Sequence, residues 1–208
     1  GYKILQLLTP IALDYESEHM GHCVGKGGYD EKVKSGKTII YSLRDNKNIP
    51  HATMEVTNNI LEQIKGKQNQ PVIEKYRDYI ADFINMNTFD EVKDVRNIGM
   101  VKLDNKIYTL KQLYEMKDIV IEGDVNLSNM DLTRLPHFKS VGGDFDCGHN
   151  QLTSLEGCPT RIGGNFHCYN NQLTSLEGCP TYVGGDFHCS NNQLTSLKYC
   201  PINVGGSF

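Results

Sequence analysis

The C-terminal part of the chain repeats itself every 21 residues. Four phenylalanines mark this interval: Phe145, Phe166, Phe187 and Phe208. Each unit reads F-x-C-x-x-N-x-L-x-x-L, then C-P, then Val or Ile before Gly-Gly, and a diverged unit precedes the first phenylalanine. A fixed period of this length is typical of solenoids, in which each unit buries its apolar face against its neighbours.

The F-x-C segment of each unit alternates apolar and polar residues, which favours a short strand with one buried face. Stacked units set these strands side by side at about 4.8 Å, in a parallel sheet. The leucines fill the interior, and the side chains of Asn150, Asn171 and Asn192 can bond the backbone of the turn. Gly-Gly and Cys-Pro are expected to mark the return path on the convex side.

The repeated block, residues 119–208, resembles the leucine-rich repeat family. Its consensus strand L-x-L-x-x-N-x-L corresponds to Phe166-His167-Cys168-Tyr169-Asn170-Asn171-Gln172-Leu173, with Phe and Cys in place of two leucines. The variant with G-G-x-F-x-C and L-T-S-L-E-G-C-P looks like repeats common in bacteriophage proteins. We expect about four repeats, with the pattern cut off inside a unit at Phe208.

In a leucine-rich repeat, the outward strand positions form the concave strip that usually meets a partner. The candidate partner-binding residues on this strip are Asp146, His167, Tyr169, Asp186 and His188. Residues 123–208 carry four basic and seven acidic side chains, a net charge of −3, which suits a basic protein surface. An ordinary solvated strip is the alternative, since inexact duplication also repeats residue types.

Six of the seven cysteines recur within the repeats. Cys147, Cys168 and Cys189 occupy inward strand positions, where a reduced cysteine packs as a small hydrophobic residue. No tight C-x-x-C pairing accompanies them, so a core ladder is favoured over metal or redox chemistry. We expect no metal site and no cofactor.

Residues 1–85 are predicted to form an α+β domain, followed by a connector at residues 86–118. A helix is expected near residues 12–23, and Pro71 is expected to open another at its first turn. Three runs predict an antiparallel three-stranded meander: Thr38–Arg44, Ala52–Thr57 and Ile60–Lys65. In the connector, residues 101–108 predict a hairpin, and Thr109 can cap a short helix through Met116. The predicted fold class is therefore α+β, with a leucine-rich-repeat-like β-solenoid after the meander.

Alternation along the meander places polar side chains on one face of the sheet. These are Ser42, Arg44, Thr53, Glu55, Gln63 and Lys65. An antiparallel arrangement can bring Arg44 opposite or diagonal to Glu55. One interpretation is a solvent-facing sheet with a modest ion pair. The other is a site for an anionic or polar ligand, with Arg44 as a fork donor to phosphate or carboxylate.

Four short sequence motifs follow one another along the N-terminal domain, at spacings that one domain can accommodate. They are His22-Cys23-Val24-Gly25, Ile40-Tyr41-Ser42-Leu43-Arg44, Ala52-Thr53-Met54-Glu55 and Gln63-Ile64-Lys65-Gly66-Lys67-Gln68-Asn69. Over about residues 10–90 the chain resembles the PcfJ-like family of conjugative plasmids, integrative elements and phages. The family's polar positions fall on His22, Arg44, Thr53, Glu55, Gln63, Gly66 and Asn69. The resemblance implies a phage or mobile-element context and no named reaction.

Catalytic chemistry is the alternative for the N-terminal domain. His22 and Glu55 offer an acid–base pair, Arg44 a charge stabiliser, and Cys23 a nucleophile. The candidate ligand-binding residues are Thr53, Gln63, Lys65 and Asn69. An Arg and a Glu on neighbouring strands also occur in ADP-ribosyl transferases, but the diagnostic spacing of those enzymes is absent.

The formal net charge of −4 over 208 residues disfavours a general nucleic-acid coat. No apolar run approaches the ~18 residues of a membrane span, and we see no signal peptide, so a cytoplasmic location in a host cell is expected. Two hypotheses follow. In the first, the solenoid docks a protein partner and the N-terminal domain carries a polar ligand. In the second, the N-terminal domain is an enzyme acting on a nucleotide or nucleic acid, and the repeats target it.

Overall fold

The computed structural model describes residues 1–93 and 95–208. The chain forms two compact units, Gly1–Met100 and Val101–Phe208. Within the described ranges, no helix is both long enough and apolar enough to cross a membrane.

A five-stranded sheet is the centre of the N-terminal unit. Its strands are β1 Lys3–Leu7, β2 Thr38–Arg44, β3 Pro50–Thr57, β4 Ile60–Lys65 and β5 Glu91–Val92. They lie in sequence order, antiparallel from β1 to β4, with β5 parallel to β4. The predicted antiparallel meander is confirmed as β2 to β4. The structure adds a strand at each edge, and β5 is too short to leave a sequence pattern.

The helices of this unit are α1 Pro10–Met20, α2 Asp30–Lys34 and α3 Glu74–Met86. At the start of α1, Thr9 Oγ1 accepts a hydrogen bond from the Ala12 amide. Helix α1 ends at Gly21, whose φ of 68° is the left-handed conformation that glycine adopts without strain. Helix α1 is therefore shorter at its C-terminal end than the predicted helix, which extends to residue 23.

Helix α3 begins later than predicted. Pro71 lies three residues before its first residue, because Ile73 at the N-cap is extended, with φ −65° and ψ 150°. The amide of Gly66 donates to the carbonyl of Gln70 and closes a short loop immediately before the proline. Helix α3 buries Tyr76, Ile80 and Ile84, and Phe83 contacts Tyr41 of β2 at 4.9 Å between ring centroids.

The register of the sheet sets which residues share a face. Ser42 faces Thr53 across β2 and β3, and Thr53 faces Lys65 across β3 and β4, which confirms the predicted polar row. The predicted proximity of Arg44 and Glu55 is wrong, since Arg44 pairs with Pro50 and Glu55 pairs with Ile40. A solvent-facing sheet is also wrong at β2, where Ser42 and Arg44 are buried, because side chains of α1 cover this face.

The segment between the sheet and the repeats contains β6 Met100–Leu103, β7 Lys106–Thr109 and α4 Leu110–Glu115. Strands β6 and β7 pair as the predicted hairpin around Asp104 and Asn105. The predicted cap is confirmed: Thr109 Oγ1 accepts from the Gln112 amide, and Gln112 Oε1 accepts from the Thr109 amide.

The C-terminal unit contains a β-solenoid built from two parallel sheets. One sheet contains β9 Val125–Asn126, β11 Phe145–Asp146, β13 Phe166–His167 and β15 Phe187–His188. The other contains β8 Ile119–Ile121, β10 Phe138–Val141, β12 Arg161–Ile162, β14 Tyr182–Val183 and β16 Asn203–Val204. The predicted phenylalanine stack is confirmed, with ring centroids 6.0 Å apart from Phe145 to Phe166 and 5.3 Å apart from Phe166 to Phe187.

The second sheet was not expected. The residues before each Gly-Gly pair form strands rather than an irregular return path. Glycine is required just after them because the stacked backbones approach closely: a Cβ on Gly163 would overlap the carbonyl oxygen of Gly142. Each Gly-Gly therefore lets one turn of the solenoid rest directly on the turn before it.

The asparagine ladder bonds neighbouring turns, as predicted. The Nδ2 amide of Asn171 donates to the carbonyls of Cys147 and Cys168, at 3.0 and 3.1 Å. Its Oδ1 oxygen accepts from the amide of Leu152 at 3.0 Å. One buried side chain thus satisfies backbone groups of two consecutive repeats, and Asn150 and Asn192 repeat the pattern.

The cysteines of the first two full repeats lie in the core. Cys147 and Cys168 are fully buried beside the phenylalanine stack, while Cys189 is only partly buried. Burial raises the pKa of each of these three thiols, because the thiolate loses its hydration. The interpretation of Cys147 and Cys168 as small core residues is confirmed.

Candidate functional site

A cavity of about 200 Å³ opens on the polar face of the N-terminal sheet. Its lining comes from the loop after α1, from β3 and β4, and from the turn after β4. The lining residues are His22, Cys23, Val24, Tyr29, Thr53, Glu55, Gln63, Lys65 and Asn69. Six of the seven residues predicted as catalytic or ligand-binding are among them, so one fold feature gathers nearly all of the sequence candidates.

Glu55 forms one wall of the cavity. Its Oε2 oxygen accepts hydrogen bonds from the Tyr29 hydroxyl at 2.9 Å and from Gln63 Nε2 at 2.5 Å. Burial and the bond to Glu55 raise the pKa of Tyr29 to about 12. Tyr29 therefore stays a hydrogen-bond donor at neutral pH and holds the carboxylate in place.

His22 also lines the cavity, directly after the glycine that ends α1. Its carbonyl accepts from the Ser17 hydroxyl, and its Nε2 lies 2.8 Å from Thr53 Oγ1. Burial lowers the pKa of His22, because loss of water disfavours the imidazolium by more than the negative charge of Glu16 favours it. The ring is therefore neutral at neutral pH, the form that can accept a proton or a hydrogen bond.

Glu16 lies behind His22 and is fully buried in α1. Its Oε2 oxygen accepts from Ser42 Oγ at 2.7 Å and from Arg44 Nη2 at 2.9 Å. Its Oε1 oxygen accepts from Thr53 Oγ1 at 2.5 Å. A carboxylate at zero exposure is tolerated only when paired and hydrogen-bonded, and these three donors meet that need.

Arg44 does not line the cavity. Besides its ion pair with Glu16, it donates from Nε to Ser42 Oγ at 3.0 Å and from Nη1 to Asn48 Oδ1 at 3.4 Å. Its fork is thus committed to protein acceptors, and it is 5% exposed. The expectation of a free guanidinium waiting for a phosphate is not met; Arg44 acts on the cavity through Glu16 and Thr53.

Two residues of this site escaped the sequence analysis. Glu16 had a signal, because it stands between Leu13 and Met20 on the buried side of α1, where an acidic residue needs a partner. Tyr29 had none, since it lies in an irregular loop whose path depends on tertiary contacts.

The cavity opens into wider space on both sides. Through His22, Cys23 and Asn69 it adjoins a depression of about 970 Å³, and through Tyr29, Glu55 and Gln63 it adjoins another of about 610 Å³. Cys23 is exposed at the first of these junctions. A group that enters the central cavity can therefore belong to a larger molecule.

In the solenoid, Asp146, His167 and His188 form one row across neighbouring strands. The rings of His167 and His188 stack with centroids 5.0 Å apart, and Tyr169 lies 5.9 Å from His167. His188 is exposed and His167 is half-buried. Four of the five predicted partner-binding residues thus lie close together on one surface.

Asp186, the fifth, contributes to a second ladder. Its Oδ1 oxygen accepts from the Ser207 amide at 2.6 Å. Asp144 does the same for the amide of Asn165, at 2.6 Å, and Asn165 for the amide of Asp186, at 2.8 Å. In this ladder each side chain caps the backbone of the next repeat, so this position has a structural role.

Among residues 1–93 and 95–208, no group of three or more His, Cys, Asp or Glu side chains is placed to hold a metal ion. Residues 7–81 match the model of a family described as PcfJ-like protein. This match supports the N-terminal resemblance, and it spans every residue that lines the central cavity. No curated protein and no solved structure matches the chain.

Proposed function

We propose that this chain is a two-part binding protein. Its solenoid docks a protein partner on the surface formed by Asp146, His167, Tyr169 and His188, and its N-terminal unit holds a small polar ligand in the central cavity. The observation that carries the proposal is the convergence on one cavity of six of the seven candidate side chains, from sequence positions 22 to 69.

Several properties of the cavity favour binding of a polar ligand. Tyr29 and Gln63 fix the Glu55 carboxylate, and Thr53 fixes the His22 ring, so the polar atoms are held in position before a ligand arrives. Preorganised polar groups in a concave site give orientation and specificity at low entropic cost.

The solenoid surface favours a protein partner for a different reason. Its row of side chains combines one carboxylate, two imidazoles and a tyrosine on a rigid parallel sheet. Aromatic side chains with polar tips are enriched at protein interfaces, and the acidic balance of the repeats suits a basic partner.

The biological setting belongs to the same proposal. The PcfJ-like match at residues 7–81 and the resemblance of the repeats to leucine-rich repeats of bacteriophage proteins support a protein of phages or mobile elements. A cytoplasmic place in the host cell accords with that setting.

The ligand site is tested by nuclear magnetic resonance of the isotope-labelled full chain. Acetate, inorganic phosphate, methylguanidinium and acetamide serve as small anionic, cationic and neutral probes. We expect at least one class to shift the signals of His22, Glu55 and Gln63, and the shifts to disappear in Glu55→Gln. Failure of all four probes to shift these signals contradicts the ligand site.

The partner surface is tested with a photo-crosslinker at position 188, which identifies the bound protein by mass spectrometry. The affinity of that purified protein is then measured for the double variant His167→Ala, His188→Ala. We expect at least a tenfold loss, because both imidazoles are removed from the surface. The matched control, Gln172→Ala with Gln193→Ala, shortens two exposed side chains of the same repeats. Equal affinities of both variants contradict this surface.

An enzyme acting on a nucleotide or nucleic acid is the second candidate function. The observation that favours it is that a neutral His22 and Glu55 line the same cavity, since both can exchange protons with a bound substrate. Glu55→Gln separates the two candidates better than Arg44→Ala, because Arg44 is buried against Glu16. If Glu55→Gln abolishes the biological activity of the full chain and leaves its affinity for the protein partner unchanged, the enzyme is favoured.

A further inference from the structure

One face of the solenoid carries charge of a single sign. In each of four successive repeats, four positions surround the start of the strand that belongs to the sheet of β9, β11, β13 and β15. We call these positions the polar strip: residues 124, 126, 128 and 129, then 144, 146, 148 and 149, then 165, 167, 169 and 170, then 186, 188, 190 and 191. Four of these sixteen residues are aspartates, and none is lysine or arginine.

The basic side chains of the repeats lie outside the polar strip. Residues 123–208 contain Arg134, Lys139, Arg161 and Lys198. Lys139 belongs to β10 and Arg161 to β12, which are strands of the other solenoid sheet. A charged ligand responds to the sign of the fixed charges on the face that it approaches, so the polar strip attracts cations and disfavours phosphates.

Four rings form one cluster on the polar strip. The ring centroids are 5.1 Å apart from His149 to Tyr169, 5.9 Å apart from Tyr169 to His167, and 5.0 Å apart from His167 to His188. His149 and His188 are exposed, and the other two are half-buried. The negative face of an aromatic ring attracts a cation, so the rings and the aspartates favour the same sign of charge in a ligand.

The carboxylate of Asp146 lies beside the ring of Tyr169. A Cβ on Gly148 would be 3.1 Å from Cζ of Tyr169 and 3.2 Å from Oδ1 of Asp146, so the ring and the carboxylate approach the same point. Oδ1 of Asp146 accepts from the Gly148 amide at 2.8 Å. Among residues 1–93 and 95–208, no donor bonds to Oδ2, and this oxygen is open to solvent. Asp146 therefore offers an accessible oxygen next to an aromatic ring.

We propose that this surface seats an arginine side chain of the protein partner, with its guanidinium on the Asp146 carboxylate and against the Tyr169 ring. The inference deepens the proposed docking surface and rests on it. A guanidinium is planar and weakly hydrated, so it stacks on an aromatic ring while it donates to a carboxylate, whereas a lysine ammonium is a strongly hydrated point charge. A nucleic acid is disfavoured because its phosphates would approach four aspartates and no basic residue.

The neighbouring repeats supply substitutions that the fold already accommodates. Asn126 occupies the position of Asp146 in the preceding repeat, and its Oδ1 accepts from the amide two residues further on, at 3.1 Å. Asp146→Asn therefore keeps the equivalent bond and removes the charge. Ser190 occupies the position of Tyr169 in the following repeat, so Tyr169→Ser removes the ring at a position where serine is accepted.

The arginine class is tested by titrating small probes into the isotope-labelled full chain and following the ring signals of His167, Tyr169 and His188. The probes are blocked glycine pentapeptides whose central residue is arginine, citrulline, lysine or glutamate, and oligothymidine. Citrulline has the shape of arginine without its charge. We expect the arginine peptide to shift these signals and to bind at least threefold more tightly than every other probe.

The variants locate the bound arginine. Asp146→Asn and Tyr169→Ser should each weaken the arginine peptide at least threefold. The charge-matched control Glu156→Gln, exposed in the repeats but outside the polar strip, should leave its affinity unchanged. The inference is overturned if the arginine peptide does not bind, if any other probe binds as tightly, or if Asp146→Asn behaves like Glu156→Gln.

The crosslinked protein partner separates this inference from the proposed function. If its affinity falls for the double variant His167→Ala, His188→Ala but stays unchanged for Asp146→Asn and Tyr169→Ser, the docking surface stands and the arginine contact is overturned. If none of these variants lowers its affinity, both are overturned. A parallel loss of partner affinity and of arginine-peptide affinity in Asp146→Asn supports both.

Discussion

Oε1 of Glu16 lies 2.5 Å from Oγ1 of Thr53, so a fully buried carboxylate on α1 holds the hydroxyl that contacts His22. Oε2 of the same carboxylate receives the guanidinium of Arg44 at 2.9 Å. One acidic residue therefore connects the sheet, the helix and the cavity wall.

The first prediction concerns this carboxylate. Glu16→Gln leaves the buried Arg44 guanidinium without a counter-charge, and we expect a loss of about 3–5 kcal/mol in the free energy of unfolding of the N-terminal unit. The measurement is urea unfolding followed by the amide signals of β2 and β3. Glu18→Gln, exposed on the same helix, is the control and should change the free energy by less than ~0.5 kcal/mol. Similar losses in both variants would show that the pair does not hold the unit together.

The second prediction is a pH dependence that belongs to His22. Its pKa is lower in the folded chain than the ordinary value of 6.5, so the unfolded chain binds the proton more readily. The contribution of His22 to stability is complete above pH 6.5, falls as the pH drops below 6.5, and levels off below the folded pKa. The slope in that window is at most ~1.4 kcal/mol per pH unit.

The measurement for His22 is the free energy of unfolding from pH 7.5 to 4.5, taken as the difference between the parent chain and His22→Gln. The difference removes the contributions of the other histidines. A difference that stays constant across the window would contradict a neutral, buried His22 ring.

The N-terminal sheet shows which structural features its sequence predicts and which it does not. Strict alternation placed Thr53, Glu55, Gln63 and Lys65 on one face, because the period of a strand does not depend on what covers it. Which strand residues face each other depends on register, and the register that pairs Ile40 with Glu55 puts Arg44 four residues further along β2, opposite Pro50. Composition and alternation do not reveal which of several registers two strands adopt.

The repeats were easier to predict than the cavity. A period of 21 forces Phe145, Phe166 and Phe187 into equivalent positions, so their stacking follows from the interval alone. In the cavity, His22 and Tyr29 come from loops and meet Glu55 only through the tertiary fold. Local pattern identified the candidates there, and long-range packing decided which of them meet.

The third prediction concerns the asparagine ladder. Asn171→Ala removes the partners of the Cys147 and Cys168 carbonyls and of the Leu152 amide. Each unsatisfied buried group costs about 1–3 kcal/mol, so we expect the solenoid to lose at least ~2 kcal/mol. Urea unfolding followed by the amide signals of β11 and β13 measures the loss. Gln172→Ala, exposed at the next position, should have little effect, and parity between the two variants would contradict the ladder's role.

The fourth prediction orders the reactivity of the cysteines. Only a thiolate reacts rapidly with iodoacetamide, and burial raises the pKa of the Cys147, Cys158 and Cys168 thiols while also blocking access to them. Cys23 is exposed beside the cavity. We therefore expect a short pulse of the reagent at pH 7.5 to label Cys23 and to leave the three buried thiols unmodified, as read by peptide mass spectrometry.

All seven thiols should react equally in denaturant, which controls for the intrinsic reactivity of each peptide. Rapid labelling of Cys147 in the native chain would mean that the solenoid opens on the timescale of the pulse. The phenylalanine stack would then be too mobile to support a rigid docking surface. Protection of Cys147 together with fast reaction of Cys23 would show that the repeats stay closed during the pulse and that the reagent reaches the rim of the cavity.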